Sequence, residues 1–191
     1  MNETLSQETI NTFVVAAHHD LPEVQHMLAT HPDLLNASAE WMETAVQAAA
    51  HTGQREIVQF LLDQGAPLDI CTAAMMGMRD AMQQFITDSP EMLDDTGAHD
   101  IPLMFYPALM GNIEIADMLF SAGVPVNEGE GGNTALHGAA GSGHAGMVLW
   151  LLDHDANPYA LDFNGRMPID LAEAGGFEET AALLRPYMKT G

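Results

Sequence analysis

The chain has 191 residues, 27 acidic against 5 basic, for a formal charge of −22, and 47% of its residues are hydrophobic. That apolar content excludes a disordered chain, and the length suffices for a well-buried core. The shortage of Lys and Arg argues against nucleic acid as a partner, because phosphate has to be neutralised by cations, and against anionic membrane surfaces.

The acidity reads first as a solubility device and second as selection for a basic partner. Cys71 is the single cysteine, so no intrachain disulfide forms, and a lone cysteine is expected as a small core residue. The N-terminal residues lack the basic and apolar regions of a signal peptide. The longest apolar run, Ile101 to Met110, contains Pro102 and Pro107 and is too short to span a bilayer. A reduced, cytoplasmic, soluble protein is expected.

In chain order, the first unit begins near Leu5. Phe13, Ala16 and Ala17 face inward on a first helix, and Val24, Met27 and Leu28 do so on a second, at spacings of i, i+3 and i+4. Pro22 suits the first turn of that second helix. The segment Asn36 to Trp41 is expected as a hairpin finger. A second unit follows, with Thr44 opening an Ala-rich helix, Gly53 at the turn, and Ile57 to Leu62 carrying the apolar stripe up to Gly65. The third unit starts only five residues later, at Ile70, with Asp69 placed to cap it. About nine residues are missing at this step, and they are those of a finger.

The third unit leaves through Ser89-Pro90-Glu91-Met92-Leu93-Asp94, which parallels His31-Pro32-Asp33-Leu34-Leu35-Asn36 at the end of the first. In the fourth, Pro107 lies inside the first helix, and a bulge or kink is expected between Phe105 and Pro107. Glu128-Gly129-Glu130-Gly131-Gly132 forms a tight-turning finger. In the fifth unit Asp155 replaces the glycine expected after the second helix, a position that asks for the left-handed region. The sixth closes with Thr180, Ala181, Leu183 and Leu184.

The turns of the six units, at Asp20, Gly53, Gly77, Gly111, Gly143 and Gly176, are 33, 24, 34, 32 and 33 residues apart. In the fifth unit the run Thr134-Ala135-Leu136-His137-Gly138-Ala139-Ala140-Gly141-Ser142-Gly143-His144 opens two helices per period. Residues 44–62 and 167–176 repeat that pattern. A period near 33 with this motif resembles the ankyrin-repeat family. The resemblance implies an all-α solenoid of about six stacked helix-turn-helix repeats with short β-hairpin fingers, the finger between repeats two and three missing. The implied repeats span approximately 5–36, 37–69, 70–97, 98–129, 130–162 and 163–188 of a single domain, 1–191.

What the resemblance implies for function is a non-catalytic interaction module, expected as a monomer, binding a protein or peptide through its concave groove and fingers. In that architecture the residues after the paired alanines of each first helix face the groove. Trp41, His51, Met75, Met76, Phe105, Tyr106, Leu109 and Met110 are the candidate partner-binding residues. For the methionines and aromatics the alternative is burial in the core, re-aimed by Pro107. Glu40, Asp95, Asp100, Glu128, Glu130 and Asp162 are expected to rim the groove, so the partner should offer an apolar centre and basic flanks.

No phosphate-binding, dinucleotide-binding or nucleophile-elbow motif occurs, so no catalytic residue and no cofactor is expected. In the resemblance His137 and His144 are structural. His18, His19 and His51 carry the alternative reading, a metal- or small-ligand-binding protein. His18 and His51 are 33 residues apart and hence one repeat width, about 10 Å, distant. That separation is too large for one zinc ion, so no metal ligand set is expected.

Overall fold

The fold is that of a computed structural model describing residues 5–189. Among the described residues twelve α-helices follow one another as six pairs. They are α1 (Gln7–Ala16) with α2 (Leu21–Thr30), α3 (Ala45–His51) with α4 (Arg55–Asp63), and α5 (Ile70–Met76) with α6 (Arg79–Asp88). Then come α7 (Phe105–Leu109) with α8 (Ile113–Ser121), α9 (Ala135–Gly141) with α10 (Ala145–Asp153), and α11 (Pro168–Ala174) with α12 (Glu178–Leu184). The first helices pack side by side in one row, α1 on α3, α3 on α5, and so on to α11. The second helices form an outer row behind them. The result is the expected all-α solenoid.

Helices of five to ten residues are too short to stand alone in water. Caps and packing hold them. Asp20 accepts from the Glu23 amide at 3.0 Å, Asp69 from Thr72 at 2.6 Å and Asn112 from Ile115 at 3.1 Å. The inner helices are built largely of Ala, and Ala45, Ala48, Ala49, Ala73, Ala74, Ala108, Ala135, Ala139 and Ala140 are all buried. Small side chains let neighbouring helices approach until each covers the apolar flank of the next. One continuous core therefore runs from Phe13 to Leu184.

Gly53, Gly77, Gly111, Gly143 and Gly176 turn the chain between paired helices with φ between +65° and +75°, where only glycine is free of a Cβ clash. Asp155 takes φ +61° beside the second helix of its unit, as expected. The first turn is different. Asp20 has φ −126° and serves as the N-cap of α2.

Two expectations need correction. Pro107 produces no kink within a helix. Helix α7 begins only at Phe105, entered by hydrogen bonds in which the Phe105 and Tyr106 amides donate to the Pro102 and Leu103 carbonyls. The extra residue is absorbed in this tight entry, and Pro107 falls in the first turn, where an N–H has no helical acceptor in any case. Nor do the fingers form hairpin strands among the described residues. They are reverse turns with isolated bridges between Ser38 and Thr44 and between Thr96 and Pro102.

The missing finger is as expected: α4 passes to α5 through Gln64–Asp69, with no bridge recorded there. The gap does not leave α5 open, however. The finger at 96–102, from the following unit, leans over it, bringing Gly97 against the Tyr106 hydroxyl and His99 to α3 of the second unit. Arg55 completes the tie, donating to the carbonyls of Met76 at 3.1 Å and Met75 at 3.5 Å at the end of α5.

Candidate functional site

The candidate groove residues separate into two groups. Met75, Met76, Phe105 and Tyr106 are buried in the core and are withdrawn as partner-binding residues. The Phe105 ring lies against Gly138 of α9, and the Tyr106 hydroxyl lies against Gly97 of the leaning finger. Burial pushes the Tyr106 hydroxyl and the Cys71 thiol above their ordinary pKa values. Cys71 is a core residue. Leu109, Met110 and His51 are half-buried, and Trp41 is exposed.

A cleft of about 820 Å³ lies between the end of α3 and the fingers. His51, His99, Asp100 and Ile101 line one side, and Gly129 to Asn133 with Phe163 line the other. Phe163 is 67% exposed, and Leu161, Trp41 and Met42 are further exposed apolar residues of the fingers. Glu40, Asp95, Asp100, Glu128 and Glu130 are exposed. Asp162 is not part of the rim. It is buried, accepting the Asn164 and Arg166 amides at 2.8 Å each and the Arg166 guanidinium at 2.8–2.9 Å.

Behind the lining residues His51 and His99, Glu43 is buried, only 1% exposed, among three histidines. Its carboxylate oxygens lie 2.8 Å from His51 Nε2, 3.5 Å from His99 Nε2 and 3.8 Å from His18 Nε2. Trp41 Nε1 donates to Glu43 Oε2 at 2.7 Å. Burial raises the pKa of Glu43, but the His51 and Trp41 contacts and the charges of His51 and His18 outweigh it and hold the carboxyl below its ordinary value.

The ring centroids of His18 and His51 are 5.1 Å apart, and those of His51 and His99 5.4 Å. The estimate of one repeat width is therefore wrong for these rings. It measured helix axes, whereas both side chains lean toward the same carboxylate. His19 is exposed and takes no part in the cluster. Sequence reasoning missed Glu43 and His99. A usable signal existed for Glu43, which immediately precedes the Thr44 cap, the position of Asn133 before Thr134.

The other signature histidines are structural. His137 Nδ1 accepts from the Thr134 amide and hydroxyl, so its Nε2–H donates to the Arg166 carbonyl at 3.0 Å. Burial lowers its pKa, and the ring is neutral. His144 Nε2 meets the Leu109 carbonyl at 3.1 Å, joining adjacent units.

Comparison with known proteins agrees with this geometry. A family profile described as ankyrin repeats in many copies matches residues 119–172, and one for the ankyrin repeat matches residues 42–73. The chain is 25% identical over 191 aligned residues to the nuclear factor NF-kappa-B p105 subunit of Gallus gallus, covering 90% of this chain and 19% of that one. It is 36% identical over 96 residues to the ARF GTPase-activating protein GIT1 of Homo sapiens, covering 48% and 13%, respectively. With inversin of Mus musculus the identity is 29% over 138 residues, covering 71% and 13%. The chain thus spans 19% or less of the length of these relatives. Six helix pairs with left-handed glycine turns, and the two profile matches within them, lead to one conclusion: the chain belongs to the ankyrin-repeat family.

Proposed function

We propose that this chain is a non-catalytic interaction module that takes a protein or peptide, apolar at its centre and basic at its flanks, in the cleft between α3 and the fingers. Ankyrin repeats are generally protein-interaction modules, and the stacked units offer an extended surface. The observation that carries the finer reading is the cleft itself. An exposed aromatic ring, Phe163, stands at its wall, with the carboxylates of Asp100 and Glu130 beside it. A large exposed apolar side chain within a charged rim is the usual composition of a binding patch. With a formal charge of −22, basic partners are favoured in approach as well as in contact.

Trp41, His51, Leu109 and Met110 remain the sequence-derived candidates for contact, joined by Phe163, Asp100 and Glu130. The module is read as one domain acting as a monomer in a reduced, cytoplasmic setting. No helix among the described residues is long and apolar enough to cross a membrane.

The test is fluorescence polarisation against a peptide array with an aromatic or aliphatic centre and Lys/Arg flanks. The best binder should lose at least about tenfold in affinity with Phe163→Ala, a loss typical of a central apolar contact. The double change Asp100→Lys, Glu130→Lys should weaken it further and flatten its salt dependence. Unchanged binding by both variants rejects this cleft as the partner site.

A further inference from the structure

We infer that His18, Glu43 and His51 form a binding site for one divalent transition-metal ion of the zinc class, with a coordination position open toward His99 and the cleft. The ligand atoms of these three residues all lie within 4.8 Å of one another. Bond lengths of 2.0–2.1 Å about a tetrahedral ion require ligand–ligand edges of about 3.3 Å. The contacts from Glu43 Oε1 to His51 at 2.8 Å and from Glu43 Oε2 to His18 at 3.8 Å lie on either side of that value, within a small side-chain adjustment of it. Two imidazole nitrogens with one carboxylate oxygen select zinc, cobalt or nickel over magnesium or calcium, which prefer all-oxygen shells.

The charge balance points the same way. A carboxylate at 1% exposure needs a positive partner. Arg55, Arg79, Arg166 and Arg185 are engaged with other groups. Among the described residues, the side chains that meet the Glu43 carboxylate are the three imidazoles and the Trp41 indole. The Nδ1 of His18 lies 3.0 Å from the Val14 carbonyl, which can only accept, so Nδ1 carries the proton. Nε2 is then the ring nitrogen turned toward Glu43, 3.8 Å from its carboxylate, and the one available to a metal ion. Glu43 Oε1 and His51 Nε2 are both buried and 2.8 Å apart, yet neither makes an aligned hydrogen bond. Two buried polar atoms this close without an aligned bond between them are what a shared ion would satisfy.

The surroundings match those of ligating side chains. A second bond from each ligand fixes its orientation in metal sites, and here Val14 holds the His18 ring while Trp41 holds Glu43. Three of the four non-glycine residues with positive φ among those described, Met42, His99 and Asp100, flank the cluster. Such backbone is retained where surrounding structure demands it. The cleft supplies the route by which an ion enters, since His51 and His99 line it.

The experiment uses the whole chain stripped with chelator, at pH 7.5 in excess Mg2+ so that the acidic surface is screened. Zn2+ is titrated in competition with a chromogenic chelator, and Co2+ is followed by its visible absorption. One equivalent of each should bind, and Co2+ should give the intense bands of a four- or five-coordinate ion. His51→Ala and Glu43→Gln should each weaken Zn2+ by more than about 100-fold, beyond the range seen for supporting residues alone, and His99→Ala by at most about tenfold. His18→Ala, at a half-buried residue in the turn after α1, gives a ligand variant outside the core and should match His51→Ala. His19→Ala should bind as wild type. Saturation failing at millimolar Zn2+, binding abolished by Mg2+, or equal losses for His19→Ala and His51→Ala would each overturn the assignment and leave the cluster as a proton-held ion pair.

Discussion

Replacing Met75 with alanine separates a core methionine from a groove methionine. Met75 is fully buried on α5, a helix whose seven residues are all buried. The substitution removes three heavy atoms from a packed space, worth about 2.4 kcal/mol of transfer free energy at ~0.8 kcal/mol per methylene equivalent. The inner helices on either side are pinned by their own alanines, and the leaning finger closes the third side. The site therefore collapses only in part, and a cavity term carries the total into the range of roughly 2–5 kcal/mol seen for such truncations. For a chain of this size each kcal/mol lowers Tm by about 2–4 °C, so the expected fall is roughly 5–20 °C. Urea unfolding followed by far-UV circular dichroism, with a thermal melt alongside, measures it. Met75→Leu, which keeps the volume, should cost less than about 1.5 kcal/mol. Met42→Ala, at an 82% exposed residue, is the surface control. A change below about 0.5 kcal/mol for Met75→Ala, the level of an ordinary surface substitution, would refute the buried placement and restore the groove reading.

Asp155→Gly should raise stability by about 0.5 kcal/mol, because the left-handed cost to an L-residue, ~1 kcal/mol, exceeds part of the entropy that glycine returns to the unfolded chain; a thermal melt showing a loss would contradict it. Asp162→Ala strips two amides and a guanidinium of their acceptor and should cost about 2 kcal/mol, while Asp162→Asn should recover roughly half by chemical denaturation. His137 has a lowered pKa in the fold, so below about pH 6.5 the unfolded chain takes up the proton first and stability falls with pH. His137→Gln mimics the Thr44–Gln47 arrangement of the second unit; the slope of its stability between pH 5 and 7 should be shallower than that of wild type, and identical slopes would exclude a neutral, buried His137 as the cause.

Much of the fold is legible along the chain because its determinants are local. A glycine with φ near +70° turns the chain in five of the six helix pairs, and a period near 33 follows from repeating that unit. Asp69 as a cap, Asp155 in the left-handed region, the paired exits at Pro32–Leu34 and Pro90–Asp94, and the absent finger all rest on neighbours close in sequence. The site was less legible because it depends on contacts between units. Whether Met75 meets water depends on where a finger some twenty or more residues away comes to rest. The same displacement carries His99 past the third unit to Glu43 of the second, 56 positions apart in the chain. The repeat, its turns, its caps and its apolar stripes are written in the chain, since each is a property of a few consecutive residues. Which side chains of adjoining units converge emerges on folding, because helix spacing limits the distance between axes while side-chain direction and finger tilt set the distance between the atoms that do chemistry.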